Sequence, residues 1–147
     1  MALNIKTMLL KYSDQYFNII PETYVLPLEL ERFQSVFNSK AKGKNLWIVK
    51  PSCSSQGKGI YLLNSLSQLP KFDHNNETFV VSRYIENPLL LGGHKFDLRI
   101  YVLVTSYDPL RVYVYREGLV RFASEKYDLT KVVTGPQTQD RGGGEIK

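Results

Sequence analysis

The chain is poor in several features that mark common protein classes. It has one cysteine, Cys53, in 147 residues, which excludes an intramolecular disulfide and fits a reducing compartment. The opening residues, Met1-Ala2-Leu3-Asn4-Ile5-Lys6, lack the long apolar run of a signal peptide or a membrane span. An intracellular, soluble protein with no membrane contact is expected. Of the two histidines, His74 has no second metal-type ligand near it in the sequence and reads as solvated. No internal repeat occurs. Familiar phosphate loops are missing too. A Walker A loop ends Gly-Lys-Ser/Thr and opens a helix, whereas Lys58 is followed by Gly59 and a strand pattern. The dinucleotide fingerprint would need a glycine where Leu62 stands. A kinase glycine loop precedes its strand lysine, but here Lys50 comes first and no His-Arg-Asp loop follows.

What is present is enough for a core. Hydrophobic residues make up 43% of the chain, and this length by itself points to one domain. Seven Phe, ten Tyr and one Trp supply large side chains to bury. The formal charge of +5 favours an anionic partner, whether nucleotide, nucleic acid or acidic protein. RNA binding ranks low among these, because the aromatic pattern of an RNA-recognition sheet is absent; no nucleic-acid partner is expected.

The organising stretch is Asn45 to Ile60. Leu46-Trp47-Ile48-Val49 is a short apolar run that reads as a buried strand, with Lys50 at its end and Pro51 stopping it. Small polar residues and Gly57-Lys58-Gly59 follow, and Ile60-Tyr61-Leu62 begins a second strand. Such a loop can close over phosphates, since glycines let the backbone approach and lysines add charge. It can equally be an ordinary glycine-rich hairpin loop.

Before this stretch, Ile5, Met8, Leu9, Tyr12 and Tyr16 follow helical spacing over residues 4–17 and predict a helix whose Met and Tyr stripe packs in the core. Tyr24-Val25-Leu26 is a short strand, and Pro27 suits the first turn of a second helix with Leu30, Phe33 and Phe37 on one face. Asn64 to Gln68 form one helical turn. Thr78 to Ile85 predict a strand ended by Asn87-Pro88, and Leu89 to Gly93 a bend.

Lys95 to Thr105 is the second informative segment. Phe96, Leu98, Ile100, Val102 and Val104 alternate along a strand, so Lys95, Asp97 and Arg99 share the opposite face. That charged face is either a solvent-facing edge with a cross-charge pair or a polar wall aimed at a ligand, with Asp97 orienting the two cations. Leu110 to Tyr115 and Leu119 to Ala123 predict two hairpin strands joined by a turn at Arg116-Glu117-Gly118. Arg121 points away from the apolar side or across a cleft; a salt bridge to Asp108 or Glu125 is the plainer alternative. From Thr130 onward the sequence is Gly-rich and low in apolar residues, and disorder is expected over 129–147.

Together, Trp47-Ile48-Val49-Lys50-Pro51, Ser55 to Ile60, Ser82-Arg83-Tyr84-Ile85-Glu86-Asn87-Pro88-Leu89-Leu90, Lys95-Phe96-Asp97-Leu98-Arg99 and Tyr115 to Ala123 resemble the tubulin tyrosine ligase-like family in order and spacing. Val102 to Leu110 is similar to its polyglutamylase branch. The resemblance implies an α+β (α/β) chain: a partial ATP-grasp fold of mostly antiparallel sheets with flanking helices. It implies a central subdomain over 1–85, with its nucleotide-covering loop at 50–60, and an incomplete C-terminal subdomain over 86–128.

The implied activity is ATP-dependent carboxylate–amine ligation: glutamate is added to tubulin C-terminal tails through an acyl phosphate. ATP and Mg²⁺ would be the cofactors, with tubulin tails or microtubules and free L-glutamate as partners, in the cytoplasm at the cytoskeleton, cilium or basal body. By family role, Lys50 contacts ATP phosphates, and Gln56 and Gly57 belong to the covering loop. Ser82, Arg83, Tyr84 and Ile85 line adenine, mostly through backbone groups. Lys95 and Asp97 reach phosphates and ribose, Arg99 lies by the phosphate-transfer centre, and Arg121 grips the carboxylate of the incoming amino acid. The family's later His-Leu-Thr-Asn motif and its acidic and amide metal ligands have no counterpart here. The chain thus reads as a truncated piece of the ATP-grasp core, with metal ligands outside it and no ligase activity alone; a non-catalytic nucleotide- or tubulin-tail-binding fragment is the alternative.

Overall fold

The computed structural model describes residues 2–12, 14–39, 45–54, 57–72, 77–131 and 135. These form two compact units, one of residues 2–86 with 131 and 135, the other of 87–130. Helices and antiparallel sheets are mixed, and strands predominate. The architecture is α+β, as expected for part of an ATP-grasp fold.

The first unit is built on a four-stranded antiparallel sheet of order β1-β4-β2-β3: β1 Thr23–Leu26, β2 Trp47–Pro51, β3 Tyr61–Leu63 and β4 Phe79–Arg83. Strand residues alternate between two faces. On one face Trp47, Val49, Leu63 and Val81 are wholly buried with Leu26, and helix α3 (Leu30–Ser39) lays Phe33 and Phe37 over them. The Phe33 ring meets Trp47 edge-on, with centroids 5.0 Å apart, and Tyr24 at 5.5 Å. Glu29 fixes the approach to α3: its carboxylate accepts from the Val25 N–H at 2.8 Å and from the Lys6 ammonium at 2.6 Å. Pro51 is the last residue of β2, paired with Phe79, and the strand stops there as expected. Ser65 caps a 3₁₀ turn, Leu66–Gln68, in a capping box with Gln68.

The helix expected over residues 4–17 is two pieces, α1 (Ala2–Tyr12) and α2 (Asp14–Phe17). The Met and Tyr stripe is not core: Met8, Tyr12 and Tyr16 are exposed and α1 buries no residue. Amphipathic spacing shows that a helix has a face, but not that the face finds a partner. The link from α1 to the sheet is Lys6, on Glu29 and 4.9 Å over the Tyr24 ring.

The second unit is a two-stranded antiparallel ribbon of β5 (His94–Tyr107) and β6 (Leu110–Lys126). The two strands predicted to meet in a turn at Arg116-Glu117-Gly118 are instead one strand. β6 runs unbroken, and the chain reverses at Asp108-Pro109. The Arg-Glu-Gly segment is a bulge: from Ile100↔Gly118 to Val102↔Val114, β5 advances two residues and β6 four. Gly118 is required by closeness rather than by a turn, since a Cβ there would stand 2.6 Å from the Arg99 carbonyl oxygen. At the entry, Gly92 and Gly93 take positive φ in a tight turn closed by Leu91 and His94. No helix among the described residues is long and apolar enough to cross a membrane.

Candidate functional site

Lys50 and Ser82 lie on the face of the four-stranded sheet opposite Trp47. The pairs Ile48↔Ser82 and Lys50↔Val80 set them diagonally on neighbouring strands. The face also carries Val25, Ile48, Leu62 and Val80, all half-buried, while Lys50 is exposed. Ser82 is oriented by Thr23, whose hydroxyl lies 2.9 Å from its own. An ammonium at the end of a half-apolar sheet face suits a ligand with an apolar ring and an anionic tail.

Arg83 turns the other way. Its guanidinium stands 4.5 Å over the Trp47 ring and reaches Glu22 at 3.4 Å, so its side chain serves the core. The backbone N–H groups of Arg83 and Tyr84 donate to the Glu22 and Leu46 carbonyls at 2.8 and 3.0 Å. Ile85 is exposed. Sequence alone does not single out Glu22, because nothing local pairs it with a residue sixty-one positions away.

The loop between β2 and β3 is locally shaped. Ser52 N–H donates to the Thr78 carbonyl at 2.9 Å, the Ser52 and Thr78 hydroxyls bond each other, and Ser54 Oγ donates to the Lys58 carbonyl at 2.7 Å. Gly57 and Gly59 take φ of 76° and 71°, a region that disfavours side chains. Gln56, a candidate ligand of the covering loop, and His74 fall outside the described residues.

The ribbon gathers the other charges. Asp97 pairs directly with Arg121 across the strands, and Arg99 lies two residues along on the same face. Asp97 Oδ2 accepts from Arg99 Nε at 2.8 Å, and both its oxygens accept from Arg121 Nε at 3.1 Å. Arg121 therefore binds neither Asp108 nor Glu125 but Asp97, and the two cations that Asp97 orients are Arg99 and Arg121. The Arg121 hydrogen bond, aided by that of Arg99, holds the Asp97 carboxyl below the usual carboxylate range. Lys95 places its ammonium 4.9 Å over the Tyr127 ring. Tyr127 is likewise silent in the sequence; the pairing of His94 with Lys126 brings it close, and no local pattern announces it. Among the described residues, no group of three His, Cys, Asp or Glu side chains comes together as a metal site.

Comparison with known proteins supplies the family. The chain is 49% identical over 125 residues to human tubulin polyglutamylase TTLL5, an alignment covering 85% of this chain and 9% of that protein. To a probable beta-tubulin polyglutamylase of Tetrahymena thermophila it is 45% identical over 127 residues, 86% of this chain and 10% of the relative. To human tubulin monoglutamylase TTLL4 it is 44% identical over 124 residues, 84% and 10% of the respective chains. The chain thus spans about a tenth of the length of these relatives. Lys50, Lys95, Arg99, Arg121 and the glycine loop sit within residues 1–136, the stretch matched by the profile of the tubulin-tyrosine ligase family, and it is to that family that the chain belongs.

Proposed function

We propose that this chain forms part of an ATP-dependent ligase that joins glutamate to glutamate side chains of tubulin C-terminal tails. The observation that carries the reading is the 49% identity over 125 residues to a protein named as a tubulin polyglutamylase. The geometry is compatible with it: Lys50 stands exposed beside a half-apolar sheet face, and Arg99 and Arg121 stand together on the ribbon.

In this reading a tail carboxylate oxygen takes the γ-phosphoryl group of ATP, releasing ADP. The amine nitrogen of glutamate then attacks the carbonyl carbon, the C–O bond to phosphate breaks, and the amine gives up a proton as the isopeptide bond forms. Charge neutralisation dominates such transfers. Lys50 and Lys95 would hold phosphate oxygens, with Gly57 in the covering loop and Ser82 to Ile85 along adenine. Arg99 would stand at the transfer centre, and Arg121 would grip the α-carboxylate of the incoming glutamate. Mg²⁺ would screen the triphosphate; the described residues offer no cluster to hold it, and its ligands are proposed to lie elsewhere. The place of action would be cytoplasmic microtubules, including those of cilia and basal bodies.

Calorimetric titration with ATP, together with labelled-glutamate incorporation into tubulin, tests the reading. Lys50→Ala and Lys95→Ala should each weaken ATP binding about tenfold. Incorporation that survives Lys95→Ala combined with Arg121→Ala would sink the site assignment. The incorporation arm uses the longer ligase of which this chain forms part; there, ATP binding with no incorporation would leave a nucleotide-binding module in place of a ligase.

A further inference from the structure

Counting protons at Thr23 fixes the direction of a hydrogen bond. A threonine hydroxyl has one O–H to donate and two lone pairs to accept with. Thr23 donates its proton to the Pro21 carbonyl, 2.7 Å away. Its oxygen also lies 2.9 Å from Ser82 Oγ. Thr23 has no second proton, so Ser82 donates in that bond and Thr23 accepts. Thr23 is only 6% exposed, and a buried hydroxyl keeps the partners the fold gives it.

The consequence falls on the open face of the sheet. Thr23 and Ser82 are direct partners across β1 and β4, so their side chains share a face. Ser82 is half-buried there, paired with Ile48 and diagonal to Lys50. With its proton turned to Thr23, Ser82 Oγ presents only lone pairs to a ligand on that face. A free hydroxyl donates or accepts at need and distinguishes an amino group from a carbonyl poorly. One whose proton is committed accepts from an amino group and repels a carbonyl oxygen.

We propose that Thr23 is a positioning residue that sets base specificity: it holds the Ser82 proton, so Ser82 Oγ is an obligate acceptor that selects a purine with an amino group at C6 over one with an oxo group. This rests on the reading that the Lys50 face meets the nucleotide. It adds a side-chain selection to the backbone contacts placed along Ser82 to Ile85, and it gives a role to a residue that never touches the ligand.

The probes are ATP and inosine triphosphate, which differ only along the C6–N1 edge of the base. Backbone groups also read that edge, so the informative quantity is how the ratio of the two affinities changes between variants. Loss of fold lowers both affinities and leaves no reason for the ratio to move.

The experiment is calorimetric titration of the whole chain with each triphosphate, in wild type, Thr23→Val, Thr23→Ser, Ser82→Ala and the Thr23→Val/Ser82→Ala double variant. Trp47 fluorescence melts check that each variant is folded. In Thr23→Val the Ser82 proton is released and can meet an oxo group, so the preference for ATP should fall roughly tenfold, the scale of one matched against one mismatched hydrogen bond. Thr23→Ser restores the acceptor and should keep the preference. Ser82→Ala leaves Thr23 intact and tests polarity separately: ATP should weaken roughly tenfold and inosine triphosphate not at all. The double variant should show the same ratio as Ser82→Ala.

Equal weakening of both triphosphates in Ser82→Ala, an unchanged ratio in folded Thr23→Val, or a ratio lost in Thr23→Ser overturns the proposal. Should ATP binding depend on Lys50 while the ratio ignores Thr23 and Ser82, the ligase reading stands and the selection falls. Should the ratio respond as expected while the longer ligase incorporates no glutamate, the selection stands and the ligase reading falls. Binding of neither triphosphate overturns both.

Discussion

The sheet unit and the ribbon are made from similar residues, yet only one has an interior. In the sheet unit Trp47, Val49, Leu63 and Val81 are fully buried under Phe33, because α3 supplies a second layer. The ribbon carries Phe96, Leu98, Ile100, Val102, Val104, Val112, Val114, Val120 and Phe122 on one face by its register. None of these is buried, and Leu98, Ile100, Val114 and Phe122 are more than half exposed. Apolar side chains stabilise a fold only when a second layer removes them from water. A two-stranded ribbon without that layer is marginal in water, so cross-strand contacts such as Phe96 to Phe122, 5.9 Å between centroids, carry a large share of its order.

The sharpest way to break this comparison is to hollow the sheet unit. Trp47→Ala should cost about 3–5 kcal/mol, the usual range for removing a buried Trp, and abolish cooperative melting of that unit by circular dichroism. Val120→Thr, at a half-exposed ribbon position, should change stability by no more than about 0.5 kcal/mol. Equal losses at the two positions would mean that the ribbon has a core after all.

A smaller effect is expected from Gly118→Ala. The added Cβ would meet the Arg99 backbone oxygen at 2.6 Å, and overpacking of this kind costs about 1–3 kcal/mol. Amide hydrogen exchange should quicken from Ile100 to Val102 and at Arg99, while the amides of β1 to β4 keep their protection.

Smaller still are the effects of pH, which separate the units at the alkaline end. Burial pushes the Tyr24 and Tyr61 hydroxyls up to about 12, helped at Tyr24 by the Glu22 carboxylate. Their neutral forms are favoured in the fold, so this stability is complete below the ordinary value of 10.0 and is lost as pH rises through about 12. At Glu29, burial alone would raise the carboxyl, but the Lys6 ammonium and the Val25 N–H outweigh it and hold it below the usual value of 4.5. That contribution is present above 4.5 and is lost as pH falls through the depressed value. Trp47, the one tryptophan, reports the sheet unit by fluorescence. Its denaturation midpoint should fall at both extremes. A midpoint that is flat from pH 7 to 12 would remove the tyrosines from the account.

Much of this is legible in the sequence. The alternation from Phe96 to Val104 sorts charge from apolar surface correctly, because a strand's period of two depends on nothing beyond the strand. The same alternation brings Asp97 and Arg99 together. Arg121 cannot be assigned a partner that way, because its place opposite Asp97 depends on a register reset by the bulge at Arg116-Glu117. The bulge reads as a turn because charge followed by glycine suits either; the deciding fact is how close the Arg99 carbonyl comes to Gly118. The sheet order β1-β4-β2-β3 is likewise hidden, since β4 reaches its neighbours across long stretches of chain. The same helical spacing predicts core rightly for Phe33 and Phe37 and wrongly for Met8 and Tyr12, because only α3 has a sheet beneath that stripe.

β2 serves two masters within five residues, Trp47 and Val49 turning inward and Lys50 outward. Inserting a single residue between Val49 and Lys50 would move the ammonium to the inward-facing position beside Phe79 and give its outward place to the inserted residue. Descendants of this chain can therefore lengthen or shorten the connection after Pro51 with little penalty, whereas the spacing from the tryptophan to the lysine is frozen by parity.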